Sequence, residues 1–244
     1  MDNSARSKLV DINRQFYDTF APSFSATRGR VQPGVRELIG RFKKDTTVLD
    51  VGCGNGTLAR ALASTGFEGS YLGVDLSAGL LSIAKALLGE PTAGDYDFQQ
   101  IDLAEPGWEA PLSGAPYNWL VSFAVLHHLP GEEFRQRIVR AIAGLTRPES
   151  TVAVSVWQWQ NSPRLRKRVV PWGTVGLDPA ELDEGDVLLD WRAGDQVGLR
   201  YVHTFTETSL TGLANHAGFE VRESFYSDGK PGNLALYQLW RLPA

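Results

Sequence analysis

The feature that most constrains this 244-residue chain is a short apolar strand that leads directly into a glycine-rich loop and then a helix. Residues 48–57 read VLDVGCGNGT, so Asp50 is followed by Gly52, Gly54 and Gly56. Glycine is needed where a strand turns sharply, because it accepts left-handed backbone angles and lacks a Cβ that would hold a ligand away from the backbone. The pattern therefore predicts a ligand at the carboxyl end of this strand.

The spacing of the loop and a second acid narrow the class of ligand. A dinucleotide-binding fingerprint needs glycine where this chain has Thr57, so the third glycine comes one residue early. A second apolar strand ends at Asp75, whose carboxylate can accept hydrogen bonds from both hydroxyls of a ribose. This pair of landmarks resembles class I S-adenosylmethionine-dependent methyltransferases. The resemblance implies their three-layer Rossmann-like fold, with S-adenosyl-L-methionine as the cofactor.

Apolar runs and helical patterns alternate along much of the chain. Such alternation indicates a parallel sheet with helices on both faces, because each crossover connection lays its helix on the sheet. A helix that starts near Thr206 and strands near 219–226 and 234–241 predict a C-terminal antiparallel hairpin. The fold class is thus α/β, with a seven-stranded, mostly parallel sheet. The other predicted strands are 47–51, 70–75, 96–101, 117–123 and 151–157, and the predicted helices between them are 56–65, 77–88 and 132–145.

Two segments lie outside this alternation. At the N-terminus, apolar residues recur at helical spacing over 7–20, and a turn-prone segment follows at 21–30. Together with a second short helix they would form a helical cap over 1–44. Residues 158–200 lack clear periodicity but hold three tryptophans, which favours an ordered, lid-like insertion over disorder. We therefore predict a single methyltransferase domain over 1–244.

Charge and composition argue against several classes of protein. The net charge of −4 disfavours a generic polyanion binder, although residues 1–44 carry nine Lys and Arg against four acids. Cys53 is the single cysteine, so no internal disulfide can form, and its place in the loop indicates a small residue packed under the ligand. Four histidines without ligand spacing predict no metal site. Because no apolar run is long enough for a membrane span, we expect a cytoplasmic protein without membrane contact.

Several further stretches resemble one subfamily. Residues 21–28 read APSFSATR, residues 51–56 read VGCGNG and residues 125–128 read VLHH. Residues 170–172 read VPW and residues 200–205 read RYVHTF. In this order they are similar to motifs of the tRNA wobble-uridine carboxymethyl methyltransferases, which esterify a 5-carboxymethyl group on the first anticodon base. The resemblance implies tRNA as a partner and, as in the eukaryotic enzymes, a small activator protein.

The resemblance also assigns site residues. Asp102 follows the third strand, where the family's acid binds the adenine amino group, and one of two adjacent histidines is expected to face the cofactor. A carboxylate acceptor is already ionised at neutral pH, so the protein has to position it rather than activate it with a base. The cofactor-binding candidates are Asp50, Gly52, Cys53, Gly54, Gly56, Asp75, Leu76, Asp102, Leu103 and Phe123. The catalytic and acceptor-side candidates are Arg28, His128, Arg200, Tyr17, His203 and Trp172, with the two arginines holding a carboxylate or phosphate.

Other functions stay open at this point. A small-molecule carboxyl- or O-methyltransferase is favoured by the acidic balance and the short insertion. A non-catalytic S-adenosylmethionine-binding protein would share the cofactor motifs, whereas a dehydrogenase is disfavoured by Thr57. Two interpretations of Arg200 are equally plausible, an ion pair with the acidic insertion and a contact with the substrate. Trp172 also has two interpretations, stacking on a base and simple packing within the insertion.

Overall fold

A computed structural model describes residues 1–27, 29–91, 93–112 and 117–243 of the chain. Its strands, in chain order, are β1 (Thr47–Val51), β2 (Ser70–Asp75), β3 (Asp95–Gln100), β4 (Trp119–Phe123), β5 (Thr151–Trp157), β6 (Val169–Val170), β7 (Asp186–Ala193), β8 (Gln196–His203), β9 (Glu220–Ser227) and β10 (Ala235–Arg241). Seven of them form a central sheet in the order β3-β2-β1-β4-β5-β10-β9. Strands β1 to β5 are parallel, whereas β10 is antiparallel to β5 and β9. The predicted α/β fold with a C-terminal antiparallel hairpin is confirmed.

Helices cover both faces of this sheet. They are α1 (Asn3–Ala26), α2 (Pro33–Ile39), α3 (Thr57–Ala63), α4 (Ala78–Leu88), α5 (Glu132–Gly144), α6 (Pro163–Arg166) and α7 (Glu207–His216). Side chains of β1 alternate between the two cores, as a strand period of two requires. Leu49 and Val51 pack with α5 and α7, whereas Val48 packs with α2, α3 and α4. No helix in the described ranges is long and apolar enough to cross a membrane.

Helix α1 is longer than the sequence predicted. The segment 21–30 was expected to be turn, but its first six residues continue the helix, with Pro22 inside it. A proline in a helix interior costs about 3 kcal/mol, so other contacts must offset this cost. Phe24 makes edge contacts with two aromatic rings earlier in the same helix. Near the end of the helix, the Ser25 hydroxyl accepts a hydrogen bond of 2.8 Å from the side chain of Asn55.

The insertion predicted over 158–200 is built around a second, small sheet. Strands β6, β7 and β8 form an antiparallel sheet in that order. Helix α1 packs on β8 at Gly198, where a Cβ would lie 2.6 Å from a ring carbon of Phe20. Asn13 of α1 joins the same strand, since its amide oxygen accepts from the Tyr201 N–H at 2.9 Å. The small sheet and α1 therefore form one packed unit.

Candidate active site

A cavity of about 710 Å³ lies at the carboxyl ends of the parallel strands, where α/β sheets bind their ligands. The loops after β1, β2 and β4 line one side of it, and α1 and the small sheet line the other. Of the predicted cofactor residues, the cavity lining includes Asp50, Gly52, Cys53, Gly54, Asp75, Leu76, Asp102, Leu103 and Phe123. Of the predicted acceptor-side residues, it includes Tyr17, His128 and Arg200.

The three glycines of the loop all adopt left-handed backbone angles, but they face different neighbours. Gly52 has φ 81°, and its N–H donates to the Val74 carbonyl at 2.7 Å. A Cβ on Gly52 would collide with the side chain of Val125. At Gly56 a Cβ would lie 2.8 Å from the Cβ of Ala84, so this glycine permits packing on α4 and does not line the cavity. At Gly54 a Cβ would meet nothing within 4 Å, which leaves its backbone open to the cavity.

Two carboxylates lie beside this loop, Asp50, which is buried, and Asp75, which is half-buried. Asp50 accepts a hydrogen bond of 2.7 Å from the Tyr71 hydroxyl, and burial raises the pKa of Asp50 to about 7. Asp75 accepts the N–H groups of Gly54 at 2.8 Å and Ser77 at 2.9 Å, and burial raises its pKa as well. Each oxygen of Asp75 has one such bond and retains lone-pair capacity. The carboxylate of Asp75 can therefore accept hydrogen bonds from the hydroxyls of a ribose.

A third acid, Asp102, is already joined to helix α1. One carboxylate oxygen accepts from the Ala104 N–H at 2.8 Å, and the other pairs with the Arg14 guanidinium at 2.6 Å. Arg14 also lines the cavity. Sequence reasoning missed this residue, because the helical pattern of α1 was interpreted only through its apolar positions. The site predicted for adenine is thus bordered by a cation from α1.

On the acceptor side, Arg200 contributes a buried cation to the cavity wall. Its guanidinium carbon lies 4.9 Å from the Phe16 ring centroid and 5.0 Å from that of Trp157. The attraction between a cation and an aromatic ring is stronger when the cation has lost much of its hydration, as a buried guanidinium has. Neither aromatic ring was a site candidate in the sequence, since α1 and β5 are far apart along the chain.

The two adjacent histidines have different environments. His128 lines the cavity, and its Nδ1 lies 3.0 Å from the Tyr201 carbonyl, so that nitrogen carries the proton and donates. Its ring makes an edge contact with Tyr17. His127 is fully buried and stacks on the ring of Trp157. Its Nδ1 accepts a hydrogen bond of 3.2 Å from the backbone N–H of Trp157. The histidine that faces the cavity is therefore His128.

Two predicted acceptor-side residues in the described structure, His203 and Trp172, do not line this cavity. His203 lies on β8, and its Nδ1 is 2.7 Å from the carboxylate of Asp186. Trp172 packs against a small core that includes Leu177. Arg28 falls outside the described residues. Among the described residues, no group of three or more His, Cys, Asp or Glu side chains could hold a metal ion.

Cys53 lines the cavity as a buried thiol. Burial raises the pKa of Cys53 well above its ordinary value, because the thiolate would lose its water. The nearby carboxylates Asp50 and Asp75 raise this pKa further. A neutral thiol under the glycine loop acts as a small packing group rather than a nucleophile.

The mouth of the cavity carries a charged group from the insertion, in which the basic run 164–168 is joined by residues of β7. Arg168 and Arg192 both line it, and both pair with Asp190, at 3.2 Å and 2.9 Å respectively. Arg164 lies in the lining as well. One carboxylate thus partly neutralises and holds two guanidinium groups at the entrance.

A Rossmann-like sheet with a glycine loop and acids at successive strand ends defines the class of S-adenosylmethionine-dependent methyltransferases. Residues 24–224 match the family model described as "Methyltransferase domain". The chain therefore belongs to the methyltransferase domain family, and it is a methyltransferase with S-adenosylmethionine as its cofactor.

Curated relatives give a second comparison. The relative ECU09_1500 of Encephalitozoon cuniculi, named as a methyltransferase, is 27% identical over 208 residues, with 85% of this chain and 86% of the relative covered. The tRNA (carboxymethyluridine(34)-5-O)-methyltransferase of Arabidopsis thaliana is 29% identical over 141 residues, with 58% of this chain and 31% of the relative covered. The chain thus spans most of the first relative and about a third of the second.

Solved structures share the fold. Magnesium protoporphyrin IX methyltransferase from Synechocystis, crystallised with bound SAH, matches with a TM-score of 0.65 and 17% identity, covering 97% of this chain and 100% of that one. A complex of the Haloferax volcanii Trm112 methyltransferase activator with a methyltransferase matches with a TM-score of 0.65 and 15% identity, covering 95% of this chain and 97% of the matched chain. At these identities the likeness concerns the fold alone.

Proposed function

We propose that this methyltransferase esterifies the carboxylate of a 5-carboxymethyl-type wobble uridine in tRNA. The observation that carries the proposal is Arg200, a buried cation held between Phe16 and Trp157 in the cavity wall. A guanidinium suits a carboxylate because its fork matches the two oxygens, and aromatic rings suit a flat base. The name of the Arabidopsis relative supports the same acceptor.

The residues present fit the cofactor. Asp75 keeps lone pairs for ribose hydroxyls, and the open backbone at Gly54 leaves room for a ligand against the loop. S-adenosylmethionine supplies an electrophilic methyl group on a sulfonium sulfur. In this proposal Asp75 and Asp102 hold the nucleoside, and Arg200 orients the acceptor carboxylate toward that methyl group.

No proton has to move in such a reaction, because the acceptor carboxylate is ionised at neutral pH. One carboxylate oxygen forms a bond to the methyl carbon as the carbon–sulfur bond breaks, and the pair of electrons stays on sulfur. The chain therefore needs to position the acceptor and exclude water rather than supply a general base. His128 and Tyr17, which contact each other in the cavity wall, would serve that purpose.

Two partners belong to this proposal. We propose that tRNA docks at the cavity mouth near Arg164 and Arg168, which lie in the insertion. We also propose a small activator protein, because the Haloferax structure with a similar fold is a complex with such an activator. Purification of the chain with and without a co-expressed activator, followed by a stability measurement, tests the second partner.

A small-molecule carboxyl- or O-methyltransferase is the second candidate. It is favoured by Asp190, which neutralises part of the positive charge of Arg168 and Arg192 at the cavity mouth. A tRNA surface would be expected to leave such arginines available to phosphates.

A labelled-methyl assay separates the two candidates. The acceptors are tRNA with the free 5-carboxymethyl acid, the same tRNA with a carboxamide in its place, and a panel of small carboxylic acids. We expect transfer to the acid-bearing tRNA only, and we expect R200M to reduce kcat/KM at least tenfold while the affinity for S-adenosylmethionine changes less than threefold. Transfer to small acids but to no tRNA would replace the proposal with the second candidate.

A further inference from the structure

Asp228 is a buried carboxylate in the cavity lining, and the methyl transfer proposed for this site assigns it no role. It follows β9 in the loop that leads to β10 and is 7% exposed. Its backbone is left-handed, with φ 69°, a conformation that costs a non-glycine residue free energy and that Asp and Asn tolerate better than most residues. Buried residues with a strained backbone are concentrated at functional sites, so the conformation of Asp228 favours a functional role for it.

The carboxylate of Asp228 is held by two neutral donors. One oxygen accepts from the Gly34 N–H at 3.0 Å, and the other accepts from the Tyr237 hydroxyl at 2.7 Å. The approach to Gly34 depends on its missing side chain, since a Cβ there would lie 2.5 Å from a ring carbon of Tyr237. A carboxylate has about four lone-pair sites, so two remain for a ligand. Within the described part of the chain, no ion pair to Asp228 is present.

The position of Asp228 places it on the acceptor side of the cavity. Its partner Tyr237 lies on β10, two residues after Ala235, which pairs with Trp157 in the wall around Arg200. The Tyr237 ring also lies 6.1 Å from the ring of Phe123 at the end of β4. Asp75 and Asp228 both line the cavity, and the strands at whose ends they lie, β2 and β9, are on opposite sides of β1 in the central sheet. Asp75 is half-buried and Asp228 is buried, and each carboxylate accepts from two donors and can accept a further hydrogen bond.

We propose that Asp228 accepts a hydrogen bond from the imide N3–H of the acceptor's uracil ring and so selects that base. The inference rests on the proposed function, because it names how the same site recognises its acceptor. A uracil ring offers one N–H donor between two carbonyl acceptors. A buried carboxylate pairs with that donor, whereas a base that presents an unprotonated ring nitrogen there, as cytosine does, or an N-methyl group leaves Asp228 buried without its ligand. Arg200 binds the carboxylate arm and Asp228 binds the ring.

The test uses anticodon stem-loop RNAs whose wobble residue is 5-carboxymethyluridine, its N3-methyl derivative or its 2′-deoxy derivative. Wild-type chain, with the activator if it proves necessary, should methylate the N3-methyl RNA about 10- to 100-fold less efficiently in kcat/KM, a loss typical of one buried hydrogen bond. The 2′-deoxy RNA should react within threefold of the parent. D228N should lose at least tenfold on the parent RNA and change less than threefold on the N3-methyl RNA, because only the parent loses a contact.

Asparagine is the chosen substitution because it keeps the size of the side chain and tolerates the left-handed backbone. D195N changes an exposed aspartate in the same way and should leave both rates unchanged. Equal wild-type rates on the parent and N3-methyl RNAs would overturn the inference without any variant. A loss of the same size on both RNAs in D228N would assign Asp228 a structural role, and a loss on the 2′-deoxy RNA alone would assign the donor to the ribose. No transfer to any of these RNAs would overturn the proposed function and this inference with it.

Discussion

At the scale of single residues, two neighbouring glycines of the loop are glycine for different reasons. Gly52 and Gly54 both have positive φ, so a side chain strains both of them. Only at Gly52 would a Cβ also collide with a neighbour, the side chain of Val125. At Gly54 the Cβ would point into open space, and that space is where the cofactor is expected. A substitution at Gly52 is therefore expected to affect mainly the stability of the fold, and one at Gly54 mainly the binding of the cofactor.

We predict that G52A destabilises the fold by about 2–4 kcal/mol, the sum of backbone strain and a core clash. G54A should destabilise the fold by about 1 kcal/mol through backbone strain alone, but lower the affinity for S-adenosylmethionine at least tenfold. Chemical denaturation and titration calorimetry measure the two effects. Equal losses of stability in the two variants, or normal affinity in G54A, would contradict this interpretation of the loop.

Asp50 gives a pH prediction that concerns stability. Burial raises its pKa from the ordinary value of 3.8 to about 7. Between these values the folded chain keeps a proton that the unfolded chain has lost, so the stability due to this group falls as the pH rises from about 4 to about 7. Compared with D50N, the wild type should lose stability through that window and level off above it. Unfolding free energies without cofactor at pH 5, 6, 7 and 8 measure this, and a constant difference between the two proteins would refute it.

At the scale of elements, helix α1 and the small sheet β6–β8 are the parts that the sequence predicted least well. Pro22 is typical of a segment outside a helix, and the hydrogen bond from distant Asn55 to Ser25 helps to keep this segment helical. Strand β8 packs on α1, and Trp191 of β7 contacts Phe16 and Phe20 of the same helix. The apolar pattern of these strands can therefore be interpreted only once that helix is in place. The central strands were predictable because each alternates between two cores that cover the sheet.

Asn13 fastens α1 to the rest of the site. Its side chain bonds the N–H and carbonyl of Tyr201 and the carbonyl of His128. We predict that N13A destabilises the protein by about 2–4 kcal/mol, because it leaves buried backbone groups without partners. Substitution of exposed Gln15 by Ala in the same helix should cost less than about 0.5 kcal/mol by the general behaviour of surface sites. Thermal unfolding of the two variants measures this, and an equally small effect of N13A would show that α1 docks without Asn13.

At the scale of the whole molecule, the three acids near the ends of β1, β2 and β3 were predictable, whereas Arg14 and Asp228 were not. Asp50 and Asp75 lie near the carboxyl ends of β1 and β2, and Asp102 follows β3, so all three come to the same edge of the sheet. Arg14 comes from α1 and Asp228 from the β9–β10 loop, and no spacing in the sequence relates them to those acids. Such residues meet only through packing between elements that are distant along the chain.

The central claim is that a methyl group goes from S-adenosylmethionine to a carboxylate, and the chemistry of the product tests it most directly. Methyl esters hydrolyse in mild alkali, whereas methyl groups on base nitrogens, carbons or ribose oxygens do not. The chain is incubated with S-adenosylmethionine labelled in its methyl group and tRNA that bears the 5-carboxymethyl acid, and the purified RNA is then treated with mild base. We predict that the label is released as volatile methanol. Label that stays on the RNA after this treatment, or tRNA that acquires none, would contradict the claim.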